Sequence, residues 1–164
     1  MIYIGIDNGP SGSIGVLSSG PAQMFLPVTE RILNYTQKKA YTTLLNFRKM
    51  KRFFWKLANT REPIMLAMER PMINPGRWSA TCVALRVHQQ YLDMFSALKM
   101  GEPMSLDSRK WQKKFLPSGV KGPELKPASE QVGLRMFPQC RAEILKHKDA
   151  DGLFIALWLK QEMQ

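Results

Sequence analysis

The run Ile64-Met65-Leu66-Ala67-Met68-Glu69 constrains the fold of this chain more than any other stretch. Five apolar residues lie between Pro63 and a terminal acid, with Pro71 close behind. That length is short for a core helix and suits a strand covered on both faces. Such a strand needs helices above and below it, and helical patterns flank it, over Thr42–Asn59 before and Ser79–Leu98 after. An α/β fold follows, with this strand (Ile64–Arg70) near its centre. Glu69 is the odd residue. A carboxylate leaving a buried strand must be paired, protonated or bound to metal.

The same problem recurs at the start of the chain, "MIYIGIDNGPSGSIGVL". Ile2, Ile4 and Ile6 alternate with Tyr3 and Gly5, predicting a strand over Ile2–Asp7 that again ends on an acid. Asn8-Gly9-Pro10-Ser11-Gly12 is a turn signal, and it predicts a hairpin to a second strand over Ser13–Leu17. Taken alone, Asp7 has an ordinary role, accepting hydrogen bonds from the N–H groups of the turn. A third acidic place is "DADGLFIALWLK", where Asp149 and Asp151 open an apolar helix over Ala150–Glu162. Capping and the helix dipole account for acids there. If the first and fourth strands are neighbours, Asp7 and Glu69 stand side by side, and a helix packed on them adds Asp151. Three converging acids raise one another's pKa unless a divalent cation holds them ionised. Oxygen ligands with few histidines favour Mg²⁺, with Mn²⁺ able to substitute. Two such ions in one site can activate water and stabilise the leaving oxygen of a phosphodiester.

The remaining pattern adds a third strand over about Gln23–Val28 and a weak one over Pro103–Asp107. Short helices follow over Ser108–Phe115 and near Ala128–Phe137, with a loop at 117–124. The order βββαβαβαα implies a mixed sheet with helices on both faces. At 164 residues the chain is read as one domain, 1–164. Its two cysteines, Cys82 and Cys140, match no metal-ligand spacing and are expected as free thiols of a reducing, intracellular compartment. The opening lacks a basic segment and its apolar run is broken by Asp7, so no signal peptide is expected. No apolar stretch is long enough to span a bilayer, and no membrane partner is expected. With 24 Lys plus Arg against 13 Asp plus Glu, the formal charge is +11, which favours a polyanionic partner, nucleic acid first.

In "GIDNGPSGSIGVL", "LAMERPM" and "HKDADGLFIALWL", in this order and spacing, the chain resembles the RuvC family of Holliday-junction resolvases. The strand-end Glu followed by Pro and a Pro-Gly loop is most similar to the bacteriophage, poxvirus and chloroplast branch. "LDSRKWQKKFLP" and "ELKPASEQVGLRMFP" are similar to that branch's middle segment. The resemblance implies a ribonuclease H-like five-stranded mixed sheet, a homodimer with one active site per subunit, and paired nicking of branched DNA. For a phage-encoded protein, the compartment would be the cytoplasm of a bacterial host. It implies that Asp7, Glu69 and Asp151 are metal ligands and that Lys126 stabilises charge at the scissile phosphate. The family's further acid or histidine falls three residues before the last Asp. Here Lys148 occupies that place, between His147 and Asp149. Asp149 serves if the chain is still non-helical there. His147 serves if the helix begins earlier, since i and i+4 share a face.

Two basic runs suit DNA. The first holds Lys38, Lys39, Arg48, Lys49, Lys51, Arg52 and Lys56. The second holds Arg109, Lys110, Lys113, Lys114, Lys121 and Lys126. Trp55, Trp111 and Phe115 are interleaved with them, as on a surface that touches unstacked bases. Arg77 and Trp78 end the loop after Glu69. The helix Ser79–Leu98, with Val83, Leu85, Val87, Tyr91, Leu92 and Phe95, is either a dimer face or core. Two rival readings share these residues. "GIDNGPSGSIG" also resembles the first phosphate loop of actin-like and sugar-kinase ATPases, and a catalytically inactive nucleic-acid binder on the same fold is the other.

Overall fold

The computed structural model describes residues 1–34 and 40–164, so Lys38 and Lys39 of the first basic run lie outside the described residues. In chain order the elements are β1 (Ile2–Ile6), β2 (Ile14–Leu17), β3 (Gln23–Phe25), β4 (Thr29–Leu33), β5 (Tyr41–Leu45) and α1 (Phe47–Ala58). Then come β6 (Ile64–Glu69), α2 (Trp78–Ala97), β7 (Met104–Leu106), α3 (Ser108–Phe115), α4 (Leu125–Met136), α5 (Arg141–His147) and α6 (Asp151–Glu162). The main sheet has the order β3-β2-β1-β6-β7. β1 pairs antiparallel with β2 and parallel with β6, Ile6 opposite Met68, and β7 runs parallel to β6 at the edge. The expected five-stranded mixed sheet is therefore present, with the first and fourth of its strands adjacent.

The period-two pattern divides the core between the two faces. Ile2, Ile4 and Ile6 face Met50 and Phe54 of α1 and Val87, Tyr91 and Phe95 of α2. Tyr3 and Ala67 face Trp111 of α3 and Phe154, Ile155 and Leu159 of α6. The apolar stripe on α2 is thus core, and Leu85 is left exposed from the set considered for a dimer face. No helix among the described residues is long and apolar enough to cross a membrane.

Three sequence expectations need correcting. The helix expected from Thr42 starts at Phe47, and residues 41–45 form β5, which pairs with β4 in a separate two-stranded sheet. Most of that hairpin is exposed on both faces, so its residues carry little of the apolar alternation that marks a strand. Asn46 ends it by capping α1, its side chain accepting from the Lys49 N–H at 3.0 Å. Helix α4 begins at Leu125 rather than Ala128, because Pro127 sits in its first turn, where a missing N–H costs nothing. Helix α5 has no counterpart among the expected elements. It is one short, mostly exposed piece anchored by Ile144.

Helix α6 lies directly on the backbone of β1 and β2. A Cβ on Gly5 would stand 2.1 Å from the Ala156 nitrogen, and one on Gly15 would stand 2.4 Å from the Gly152 carbonyl oxygen. From the helix side, a Cβ on Gly152 would stand 2.7 Å from the Ser13 carbonyl oxygen. The obstacles are backbone atoms, which cannot rotate away. Gly5→Ala is therefore expected to lower unfolding free energy by about 3 kcal/mol, toward the upper end of overpacking costs, as read from denaturant midpoints. An unchanged midpoint would mean that the helix and sheet are not in backbone contact.

Candidate active site

The parallel pairing of β1 with β6 places Asp7 and Glu69 one residue beyond Ile6 and Met68 at the same end of neighbouring strands. Alternation along each strand turns these acids to the α6 face, with Gly5 and Ala67, away from the α1 and α2 layer. Helix α6 then delivers Asp151 in its first turn. Asp149 arrives by a different route. Lys148 closes α5 in the left-handed conformation at φ 73°, its N–H donating to the Ile144 carbonyl at 2.7 Å. Two non-helical residues follow before α6, so the Asp149 side chain folds inward and is only 1% exposed.

The acids are unequally supplied with donors. Lys126 Nζ lies 3.2 Å from Asp149 Oδ2. His147 Nε2 lies 3.3 Å from Asp149 Oδ1 without the alignment of a hydrogen bond. The Ser129 hydroxyl donates a short hydrogen bond to Asp151 Oδ1, while Ser129 Oγ accepts the Ala150 N–H at 3.0 Å. The Trp111 Nε1–H donates to Glu69 Oε2 at 3.1 Å. No donor to the Asp7 carboxylate is found among the hydrogen bonds of the described residues. Its backbone N–H is held by the Ser13 carbonyl at 2.9 Å.

Electrostatics follow from this crowding. Burial, then Asp151, Glu69 and Asp149, push the Asp7 carboxyl well above the usual Asp range, and Lys126 opposes them weakly. Asp151 is pushed up to about 7 by burial and Asp149, against the Ser129 hydrogen bond. Glu69 is raised by burial, and the Trp111 hydrogen bond pulls it back. For Lys126, burial favours the neutral amine, but Asp149, Asp7 and Asp151 outweigh it and hold the ammonium. Burial lowers the His147 pKa. Among the described residues no group of three or more His, Cys, Asp or Glu side chains is assembled as a metal cluster.

The expected nucleic-acid residues are dispersed over the surface. Lys49 and Arg52 are exposed on α1, Arg77 is exposed just before α2, and Arg109, Lys110, Lys113 and Lys114 are exposed on α3. Lys121 is exposed in the loop before α4. Arg109 and Arg70 share Asp107, and Lys114 pairs with Glu162 at 3.1 Å. Two aromatic expectations are corrected. Trp111 is buried against Phe154, their rings 5.9 Å apart and stacked, and Phe115 stacks on the same ring at 5.5 Å. Neither is free to meet a base, whereas Trp55 is 54% exposed. Ser129 carries no signal of its own in the sequence, although it lies i+3 from Lys126 and so shares its helix face.

Asp151 binds its proton more tightly folded than unfolded, where an Asp titrates near pH 4. Between about pH 4 and 7 the native state therefore holds the extra proton, and stability falls as pH rises through this window. Without divalent cations, the protein should be more stable at pH 5 than at pH 8. Asp151→Asn should flatten the profile and stabilise the protein at pH 8 by on the order of 2 kcal/mol. Denaturant midpoints across pH check this, and an unchanged profile in the variant would remove Asp151 from the cluster.

No protein-family model matches the chain, and no curated protein matches it in sequence. Among solved structures it is similar to Thermus thermophilus RuvC in complex with a Holliday junction substrate. The two share 13% identity at a TM-score of 0.62, covering 99% of this chain and 96% of that one. It is also similar to a second Thermus thermophilus RuvC structure, at 13% identity, TM-score 0.51 and the same coverage. At such identity the likeness is one of fold, and it runs along nearly the whole length. The acids at the ends of β1 and β6, and those at the entrance to α6, thus stand on a RuvC-like, ribonuclease H-like fold.

Proposed function

We propose that this chain is a divalent-metal-dependent endonuclease that resolves four-way DNA junctions by paired, symmetric nicks. The observation that carries the reading is the convergence of Asp7, Glu69, Asp149 and Asp151 at one end of the β1–β6 pair, with Lys126 against them. Support comes from the shared fold, one instance of which is RuvC in complex with a junction substrate, and from the +11 charge.

The donor chemistry fits a hard cation, although among the described residues the side chains are not drawn together as a metal cluster. They offer carboxylate oxygens, and the Asp7 carboxylate lacks a donor among the described residues, so a cation would take the place of the proton that burial and repulsion favour. Asp7, Glu69 and Asp151 would hold Mg²⁺, or Mn²⁺ in its place, two ions per site, with Asp149 as the fourth group and His147 as its alternative. When bound, the metal supplies water activation and stabilises the leaving oxygen. The chain's own groups do the rest. Trp111 and Ser129 orient Glu69 and Asp151, while Asp149 keeps Lys126 charged and aimed at the negative charge that develops on the phosphate. Paired nicks in a two-fold junction require a two-fold enzyme, so two copies would act together, one site each.

Incubating a synthetic four-way junction with Mg²⁺, beside linear duplex of the same sequence, tests the reading. Selective, symmetric nicking of the junction, abolished by chelation, is expected; equal cutting of both substrates would sink the resolvase assignment. Asp7→Asn should reduce nicking at least about 100-fold, the upper end of what supporting residues alone cost, while junction binding is kept. Independently of activity, Mg²⁺ should raise the melting temperature of the parent protein but not that of Asp7→Asn.

Asp149→Asn should also cripple nicking, with His147→Ala mild, because Asp149 is the group that the non-helical link folds in beside Lys126. The reverse pattern would give the role to His147.

A further inference from the structure

The exposed face of α1 is left unused by the site. Arg48, Lys49, Arg52, Trp55 and Lys56 are all exposed, and no ion pair among the described residues engages any of them. At 3.6 residues per turn these five side chains fall within an arc of about 120°, along about 12 Å of helix. Met50, Phe54 and Leu57 occupy the opposite side and pack on the sheet. Glu30 lines a groove with Asn46, Arg48, Lys49 and Arg52, and its carboxylate accepts from the Asn46 side chain at 3.1 Å. The first turn of α1 has no acid but does carry Arg48 and Lys49, an arrangement the helix dipole disfavours. The chain thus keeps an uncompensated positive surface at some cost to its own helix.

The surface is separate from the cations around the acids. Helix α1 belongs to the layer of Ile4, Ile6 and Tyr91, whereas α3, α4 and α6 lie on the other face of the sheet. Its start is nevertheless near the acid-bearing end. The Asn46 N–H donates to the Val28 carbonyl, just past β3, whose Phe25 pairs with Ile14, the partner of Ile6. We propose that the exposed face of α1 is a second phosphate-backbone surface, which holds a duplex arm of DNA across the sheet from the acids. One copy of the chain then grips two duplex segments at once. The inference rests on the junction reading and adds a partner surface to it. A lipid surface fits poorly, because an interfacial helix inserts its apolar face, and that of α1 is inside the core.

The test compares the parent protein with Arg48→Gln/Arg52→Gln/Lys56→Gln, glutamine being nearly as good a helix former as arginine and lysine. Junction binding is measured against salt, with thermal melts to confirm that both proteins are folded. The slope of log K against log[salt] should flatten by about 2–3 units, close to one for each phosphate that is no longer neutralised. Arg48→Lys/Arg52→Lys/Lys56→Arg should keep the parent slope, and adding Lys113→Ala to the glutamine variant should flatten it by about one further unit. An unchanged slope in the folded glutamine variant overturns the proposal, even if the parent nicks junctions. A flattened slope in a protein that nicks nothing keeps the surface and removes the resolvase reading. Binding to phosphatidylglycerol vesicles that disappears in the glutamine variant, with DNA binding intact, overturns it in favour of a membrane.

Discussion

Backbone-to-backbone packing of α6 on β1 and β2 is the constraint on which the rest depends. At Gly5, Gly15 and Gly152 no side chain separates helix from sheet, and the Gly152 N–H donates to Ser13 Oγ at 3.0 Å to fix the register. Asp151 is the neighbour of Gly152, so the contact that seats the helix also determines how far its first acid reaches toward Asp7. It explains why α6 is apolar nearly all round, since residues 152–156, Trp158 and Leu159 are buried. A helix that deep in the fold has no solvated face to spend on charge, except at its ends.

The site is costly in the state described. Asp7, Asp151 and Glu69 are pushed toward their protonated forms, Glu69 keeping one donor in Trp111, while Asp149 has Lys126, His147 and the Asp151 N–H around it. Donors are spread over different elements: Trp111 on α3, Lys126 and Ser129 on α4. Each of those helices is therefore tied to the acid end of the sheet by a polar bond as well as by apolar packing. Burial and like-charge repulsion are concentrated at this one place, and the large core elsewhere offsets them.

Charge is distributed with the same logic. The excess of cations is placed on α1, on α3 and in the loop before α4, while the acid end of the sheet gathers four of the chain's 13 acids.

Much of this is legible in the sequence. Alternation in Ile2–Ile6 and the apolar run Ile64–Met68 identify two core strands, and an acid at the end of each is visible because period-two patterning makes exceptions conspicuous. That β1 and β6 are neighbours is only a condition in the sequence, and the parallel pairing of Ile6 with Met68 meets it. The hairpin β4–β5 is not legible, because strands exposed on both faces lack the pattern that burial imposes. Trp111 misleads for the opposite reason: a buried tryptophan among lysines looks, in one dimension, like one presented to solvent. The sequence leaves Asp149 and His147 as alternatives; the left-handed turn at Lys148, a conformation that no glycine announces there, folds Asp149 inward with His147 Nε2 3.3 Å from it, so both lie at the same place. Local patterns determine which residues are apolar, where strands end and which acids are out of place. Distances between acids on separate elements, and the donors that hold them, arise only when α6 is seated on the sheet, because that packing is made by residues far apart in the chain.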